Sequence, residues 1–213
     1  MVIKMKTKKL PEGWIEVEYQ EVADFLRGPF GSSVKKSVCV KKGPETYKLY
    51  EQGNAINNDF NRGTYYVSKE KFQELQKFEL LPGDIVITCA GTLGKIATAP
   101  ENIERGIINS VLMRIRLDKT KILNKYFLYF FKSPMVQNQI FSRSQGATIK
   151  NLFPTKKLKS FKMPLPPIKV QTKIVEIFEK VEKIKERHNK STHDLDNLMN
   201  TLLQMAFNGE LIK

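Results

Sequence analysis

Eleven positions near the C-terminal end, Val170, Ile174, Ile177, Val181, Ile184, His188, Ser191, Leu195, Leu198, Leu202 and Met205, follow one another at alternating spacings of four and three residues. Such a repeat lines up on one side only if the backbone is an α-helix, and Lys, Glu and Asp fill the positions between, as a coiled-coil exterior requires. The pattern predicts a rod of about 36 residues, roughly 54 Å long, ended by the stop signal Asn208–Gly209. A seam this narrow does not lie on a globular body. It calls for another helix, from a second copy or a different protein. His188 and Ser191 interrupt the seam and read as a polar layer that sets register, or as a local kink.

Ahead of the rod, three prolines fall within MPLPPIKVQ, at Pro164, Pro166 and Pro167. They forbid helix there and predict an extended connector between a globular domain over 1–165 and a helical region over 166–213. Within the globular part, DIVIT (84–88) reads as a buried strand after the Pro82–Gly83 turn. SVLMRIRL (110–117) alternates, with Val111, Met113, Ile115 and Leu117 on one face and Arg114 and Arg116 expected to point outward. KEKFQELQK (69–77) reads as a helix capped by Ser68. Another helix is expected from Asn124, carrying Tyr126, Phe127, Tyr129, Phe130 and Phe131. Those rings are offered as core first and as a base-stacking platform second. Short elements joined by glycine-bearing loops give an α+β fold class: an irregular mixed domain followed by one long C-terminal coiled-coil helix.

Charge then narrows the partner. The 213 residues carry 36 Lys and Arg against 22 Asp and Glu, a formal +14. Thirteen basic and only three acidic residues fall within 101–168, while 169–213 holds eight against seven. Between Asp118 and Glu176 there is no acidic residue at all, and twelve basic ones. A solvated face normally interleaves both signs, so an acid-free stretch of this length points to a phosphate backbone.

Catalytic signatures fail one by one. GTLGK lacks P-loop spacing, and Ile96 stands where Ser or Thr would hold magnesium. His188 and His193, the only histidines, are five apart on the rod, which is poor zinc geometry, so no metal is expected. No nucleophile elbow occurs, and neither Cys39 nor Cys89 lies near a histidine. Two cysteines suit a reducing cytoplasm. No stretch approaches the roughly 20 apolar residues of a membrane span, and MVIKMKTKKL has no apolar signal core. The chain reads as a binder, not a catalyst.

Three pieces occur in one order: LPEGWIEVEYQEVADFLRG, then GDIVITCAGTLGKIA, then SQGATIKNL followed by MPLPPIKVQTKIVEIFEKVE. So ordered, and ahead of a long helix, they resemble the DNA-specificity subunit of type I restriction–modification systems over nearly the whole chain. The resemblance implies a target recognition domain over 1–165 that reads one half of a split site. It also implies a helix over 166–213 that spaces two such domains and docks methyltransferase subunits, with a restriction/translocase subunit in the full complex. A complete subunit of that family carries two domains and two helices. This chain holds one of each, so it reads as a natural half that pairs with a second copy. The implied cofactor, S-adenosylmethionine, belongs to the methyltransferase partner and none to this chain.

The resemblance does not deliver base-reading residues. From chemistry, phosphate contacts are assigned to Lys35, Lys36, Lys95, Arg143, Lys150 and Lys156, assisted by the Gly91–Gly94 amides, Thr92 and the Gln145–Thr148 loop. Asn57, Asn58, Asn61 and Arg62 are the base-edge candidates, since Asn and Arg make bidentate contacts to adenine and guanine. The same residues read equally well as turn formers. The dimer seam is assigned to Ile174, Ile177, Val181, Ile184, His188, Leu195, Leu198 and Leu202. Two rivals remain. A coiled-coil scaffold leaves the acid-free block unexplained, and an RNA-binding module predicts a preference for single strands. A nuclease with an unrecognised site comes last.

Overall fold

The apolar and alternating segments become strands in the computed structural model, which describes residues 10–141 and 155–207. In chain order the strands are β1 (Ile15–Glu18), β2 (Ala23–Arg27), β3 (Thr46–Tyr50), β4 (Tyr66–Ser68), β5 (Ile85–Thr88), β6 (Ile96–Thr98), β7 (Gly106–Ile108), β8 (Leu112–Leu117) and β9 (Lys162–Leu165). The helices are α1 (Gln52–Asn57), α2 (Lys69–Glu74), α3 (Asn124–Lys132), α4 (Pro134–Phe141), α5 (Thr155–Lys159) and α6 (Ile168–Phe207). The expected α+β class with a long C-terminal helix is what the chain adopts. The chain divides after Gln171 into two compact units.

The first unit is built on three sheets. Strands run β2-β8-β5-β6 in an antiparallel sheet of four and β4-β3-β7 in a mixed sheet of three, and β1 pairs with β9. Strand β3 is antiparallel to β4 and parallel to β7. One core joins the two larger sheets through Leu49, Tyr50, Val67, Val86, Ile107 and Leu112, with Phe72, Leu75 and Phe78 from α2 and the turn after it. Helix α2 starts where its cap predicts, with the Ser68 hydroxyl accepting from the Lys71 N–H.

Two expectations need correction. Strand β8 lies between β2 and β5, and of its two arginines Arg114 is buried while Arg116 stays partly exposed. Arg114 is buried and donates to the Lys77 and Glu79 carbonyls at 3.0 and 2.9 Å. Burial, with Arg116 beside it, pulls its guanidinium below the usual range. Arg116 makes a bidentate pair with buried Asp84, at 2.7 and 2.6 Å. The sequence pattern fixes which face a side chain takes but not what covers that face. The proline segment is also no free connector. Lys162–Leu165 pairs in register with Ile15–Glu18, Pro164 standing opposite Glu16. Proline is tolerated because a two-stranded sheet consists only of edges.

The aromatic helix α3 turns Tyr126, Phe127 and Phe131 inward. Tyr19 is fully buried among Phe25, Phe127, Phe130 and Phe161, with ring centroids 5.6–6.2 Å apart. Tyr126, Phe127 and Phe131 therefore serve as core, while Tyr129 and Phe130 are half-buried. The Tyr126 hydroxyl donates to the Pro164 carbonyl at 2.8 Å, tying α3 to β9. Buried Gln171, in the first turn of α6, accepts from the Leu123 N–H at 2.8 Å and donates to the Lys121 and Pro166 carbonyls at 2.9 Å each. That turn is thus part of the first unit.

The second unit is the rest of α6. Ile177, Val181, Ile184, Leu195 and Leu198 of the expected seam are each more than half exposed, and Ile174 is partly buried. Phe178 and Met199 are exposed one position beyond seam residues and widen the apolar line. His188 is exposed within the same uninterrupted helix, while the side chain of Leu202 lies outside the described residues. No described helix is long and apolar enough to cross a membrane.

The Asp84 carboxylate also accepts from the Leu81 N–H at 2.8 Å, so it closes the turn into β5 as well as holding Arg116. Replacing Asp84 with Ala strands Arg116 and opens that turn. The expected loss is about 3 kcal/mol, the low end for breaking a buried pair because Arg116 is partly exposed. Urea denaturation measures it. A loss of well under about 1 kcal/mol would place the pair among surface salt bridges.

Candidate nucleic-acid interface

Strands β5 and β6 are joined by the turn containing GTLGK, which bends back at two positive-φ glycines, Gly91 (67°) and Gly94 (71°). Thr88 closes the turn. Its carbonyl accepts from the Gly94 N–H at 3.1 Å, its hydroxyl accepts from the Lys95 N–H at 3.0 Å, and the same hydroxyl donates to the Thr92 carbonyl. The Gly94 and Lys95 amides are therefore engaged within the turn and do not face a phosphate. The Thr92 and Lys95 side chains do reach solvent.

Helix α1 stands beside this turn, where a Cβ on Gly91 would come within 3.3 Å of the Gln52 side chain. It begins with Glu51 and Asn54 capping one another, and ends at Asn58 in the left-handed conformation, φ 50°. Asn57 donates back to the Gly53 carbonyl at 2.8 Å, and Asp59 accepts from the Asn61 N–H at 3.0 Å. The turn-forming chemistry read from these residues is thus present. It does not exhaust them, because the side chains of Asn58, Asn61 and Arg62 are exposed.

An open cavity of about 790 Å³ gathers these parts. Its lining includes Asn58 at the end of α1, Lys95 from the turn, and Lys125, Leu128 and Lys132 from α3, and among the described residues contains no carboxylate. Lys125, Leu128 and Lys132 are spaced by three and four residues, which places them on one side of the helix whose other side carries the buried rings. Sequence reading passed over Lys125 and Lys132. The helical spacing that sends Phe127 and Phe131 inward is the signal that sends these two lysines outward.

The remaining phosphate candidates lie elsewhere. Lys35 and Lys36 are exposed and do not line this cavity; the Lys36 ammonium sits 5.6 Å from the Tyr65 ring, and Tyr65 raises its pKa. Lys156 is exposed on α5. Arg143, Thr148, Lys150 and the Gln145–Thr148 loop lie outside the described residues. Burial pushes the Cys89 thiol up to about 12, which removes it as a nucleophile at neutral pH. Among the described residues no group of His, Cys, Asp or Glu is placed to hold a metal ion.

A family profile described as type I restriction modification DNA specificity domain matches residues 11–195. The chain belongs to this family. As a specificity domain it is 29% identical over 219 residues to the EcoKI specificity subunit of Escherichia coli K12, covering 97% of this chain and 45% of that one. It is 26% identical over 208 residues to the EcoBI specificity subunit of Escherichia coli, covering 95% and 43%. The HsdS subunit from Thermoanaerobacter tengcongensis has the same fold, with a TM-score of 0.65 at 19% identity, covering 98% of this chain and 48% of that one. The specificity domain therefore spans about half the length of these relatives.

Replacing Lys125 and Lys132 together with Ala tests whether α3 faces a phosphate backbone. Affinity for duplexes of any sequence should fall, and the slope of log K against log salt should become shallower by about 1.8, or 0.9 per phosphate contact. An unchanged slope would take α3 off the interface.

Proposed function

We propose that this specificity domain reads duplex DNA without catalysing any reaction, as the recognition half of a type I specificity subunit. The observation that carries the reading is the carboxylate-free cavity lined by Lys95, Lys125 and Lys132, beside exposed Asn58, in a member of a DNA specificity family. The cations suit the phosphate backbone, and Asn61 and Arg62, exposed on the loop that follows α1, suit base edges. The partners proposed are double-stranded DNA, methyltransferase subunits that carry S-adenosylmethionine, and a restriction/translocase subunit, all in the cytoplasm.

One recognition unit with one apolar-seamed rod is incomplete alone. Two copies about a twofold axis pair their α6 helices antiparallel and cover both seams. Their recognition units then reach DNA at two places, roughly one to two helical turns apart, and read an inverted repeat. The exposure of Ile177, Val181, Ile184, Leu195 and Leu198 supports this pairing. The RNA-binding alternative loses three of the five rings of its stacking platform, because Tyr126, Phe127 and Phe131 are buried. A bare scaffold leaves the basic cavity without a role.

Gel shifts with random duplex DNA and single-stranded RNA, alone and with a co-expressed methyltransferase subunit, test the reading. Duplex binding that sharpens with the subunit is expected, and preference for the RNA overturns it. In sedimentation, Leu195→Glu with Leu198→Glu should convert dimer to monomer. An intact dimer contradicts pairing through α6.

A further inference from the structure

The loop from Asp59 to Arg62 is held in an unusual way. Its four consecutive carbonyls all accept hydrogen bonds from buried side chains, and only two side chains supply them. Asn54 Nδ2 donates to the Asp59 and Arg62 carbonyls at 2.9 and 2.8 Å. Lys48 Nζ donates to the Phe60 and Asn61 carbonyls at 2.8 and 2.9 Å. Phe60 itself is sunk in the core against Tyr50. The loop is thus pinned from beneath by one residue of α1, one of β3 and one ring of its own.

Lys48 is the improbable member of this clamp. It sits in β3 with its side chain 3% exposed, where an ammonium loses its hydration and its pKa is drawn down. Its carboxylate neighbour, Glu104, is 4.0 Å away and is shared with Lys42 at 2.9 Å. An apolar residue would suit that part of the core at lower cost if the loop needed only to close. A turn of Asn, Asp and Gly closes itself with one or two local bonds, and here the Asp59 carboxylate already makes one with the Asn61 N–H. Fixing all four carbonyls does something more: it removes the freedom of the backbone that carries the exposed Asn61 and Arg62 side chains. Base readout by bidentate contact requires that kind of fixed geometry, since donors held in place lose little entropy on binding.

We propose that Lys48 is a positioning residue for sequence readout, holding the 59–62 loop so that Asn61 and Arg62 meet base edges in one geometry. The inference rests on the DNA-reading function proposed above and adds to it the residues that discriminate sequence and the buried group that aligns them. It separates two jobs: Lys95, Lys125 and Lys132 supply attraction without discrimination, and the clamped loop supplies discrimination.

The test uses the full chain co-expressed with its methyltransferase subunit and a target duplex that the wild-type complex selects from a randomised pool. Failure of the wild type to select any sequence would sink the DNA-reading function itself. Given a selected target, Lys48→Met keeps the stem and removes the three donors. It should reduce the preference for target over scrambled duplex by roughly 5- to 100-fold, the range of one or two lost base contacts. Affinity for the scrambled duplex and its salt slope should stay as in the wild type. Equal losses on both duplexes, or an unchanged preference, would reject the positioning role while leaving DNA binding intact. Asn61→Ala with Arg62→Ala alters only exposed side chains and folds independently of the clamp, so it decides the matter if the Lys48 variant is unstable. It should lose the same preference, and adding Lys48→Met to it should cost no further preference. Full preference in the exposed double variant, or a further loss on combining the changes, would overturn the proposal.

Discussion

Arg116 and Asp84 hold β8 to β5, the strand from which the chain turns into one wall of the basic cavity. Asp84 closes the turn into β5, and its pair with Arg116 locks β5 against β8 in the middle of the four-stranded sheet. From β5 the chain can turn only through Gly91 and Gly94 into β6, and this turn projects Lys95. Hydrogen bonds offset part of the cost of keeping two guanidinium groups in a central strand: the Lys77 and Glu79 carbonyls accept from Arg114 Nη1, although its buried Nε finds no partner among the described residues. Loosening that pair would disturb the wall of the cavity as well as the sheet.

The second wall follows from one helix with two faces. Helix α3 buries Tyr126, Phe127 and Phe131 and turns Lys125 and Lys132 to the other side, so its packing and its charge are one fact seen from two directions. Gln171 completes the frame by binding the Leu123 N–H just ahead of α3 and the Pro166 carbonyl just ahead of α6. On the proposed reading, attraction to a polyanion resides in rigid elements, which suits a surface that must hold DNA of any sequence before part of it is read.

What the sequence revealed was whatever is local and periodic. The 3.5-residue repeat placed α6, the Ser68 cap placed the start of α2, and DIVIT announced a buried strand. What stayed hidden depends on partners distant in sequence. Arg114 and Arg116 look outward-facing until the Lys77 and Glu79 carbonyls and the Asp84 carboxylate engage them, and Met163 to Leu165 look like a linker until Ile15 to Glu18 pair with them. Lys48 is the sharpest case: TYKLY offers no sign that its lysine lies beneath a loop twelve residues away. Of the site residues, Asn58 and Lys95 come together at one cavity, whereas Lys125 and Lys132 were concealed by their aromatic neighbours.

The central claim is that one recognition unit and one seamed helix act as a pair on DNA. It is tested most directly by sequencing the duplexes that the protein, assembled with its methyltransferase subunit, retains from a randomised pool. Two short blocks, the second the inverted complement of the first and separated by a gap of fixed length and free sequence, are the predicted result. A single uninterrupted block, or two blocks of unrelated sequence, would contradict the account.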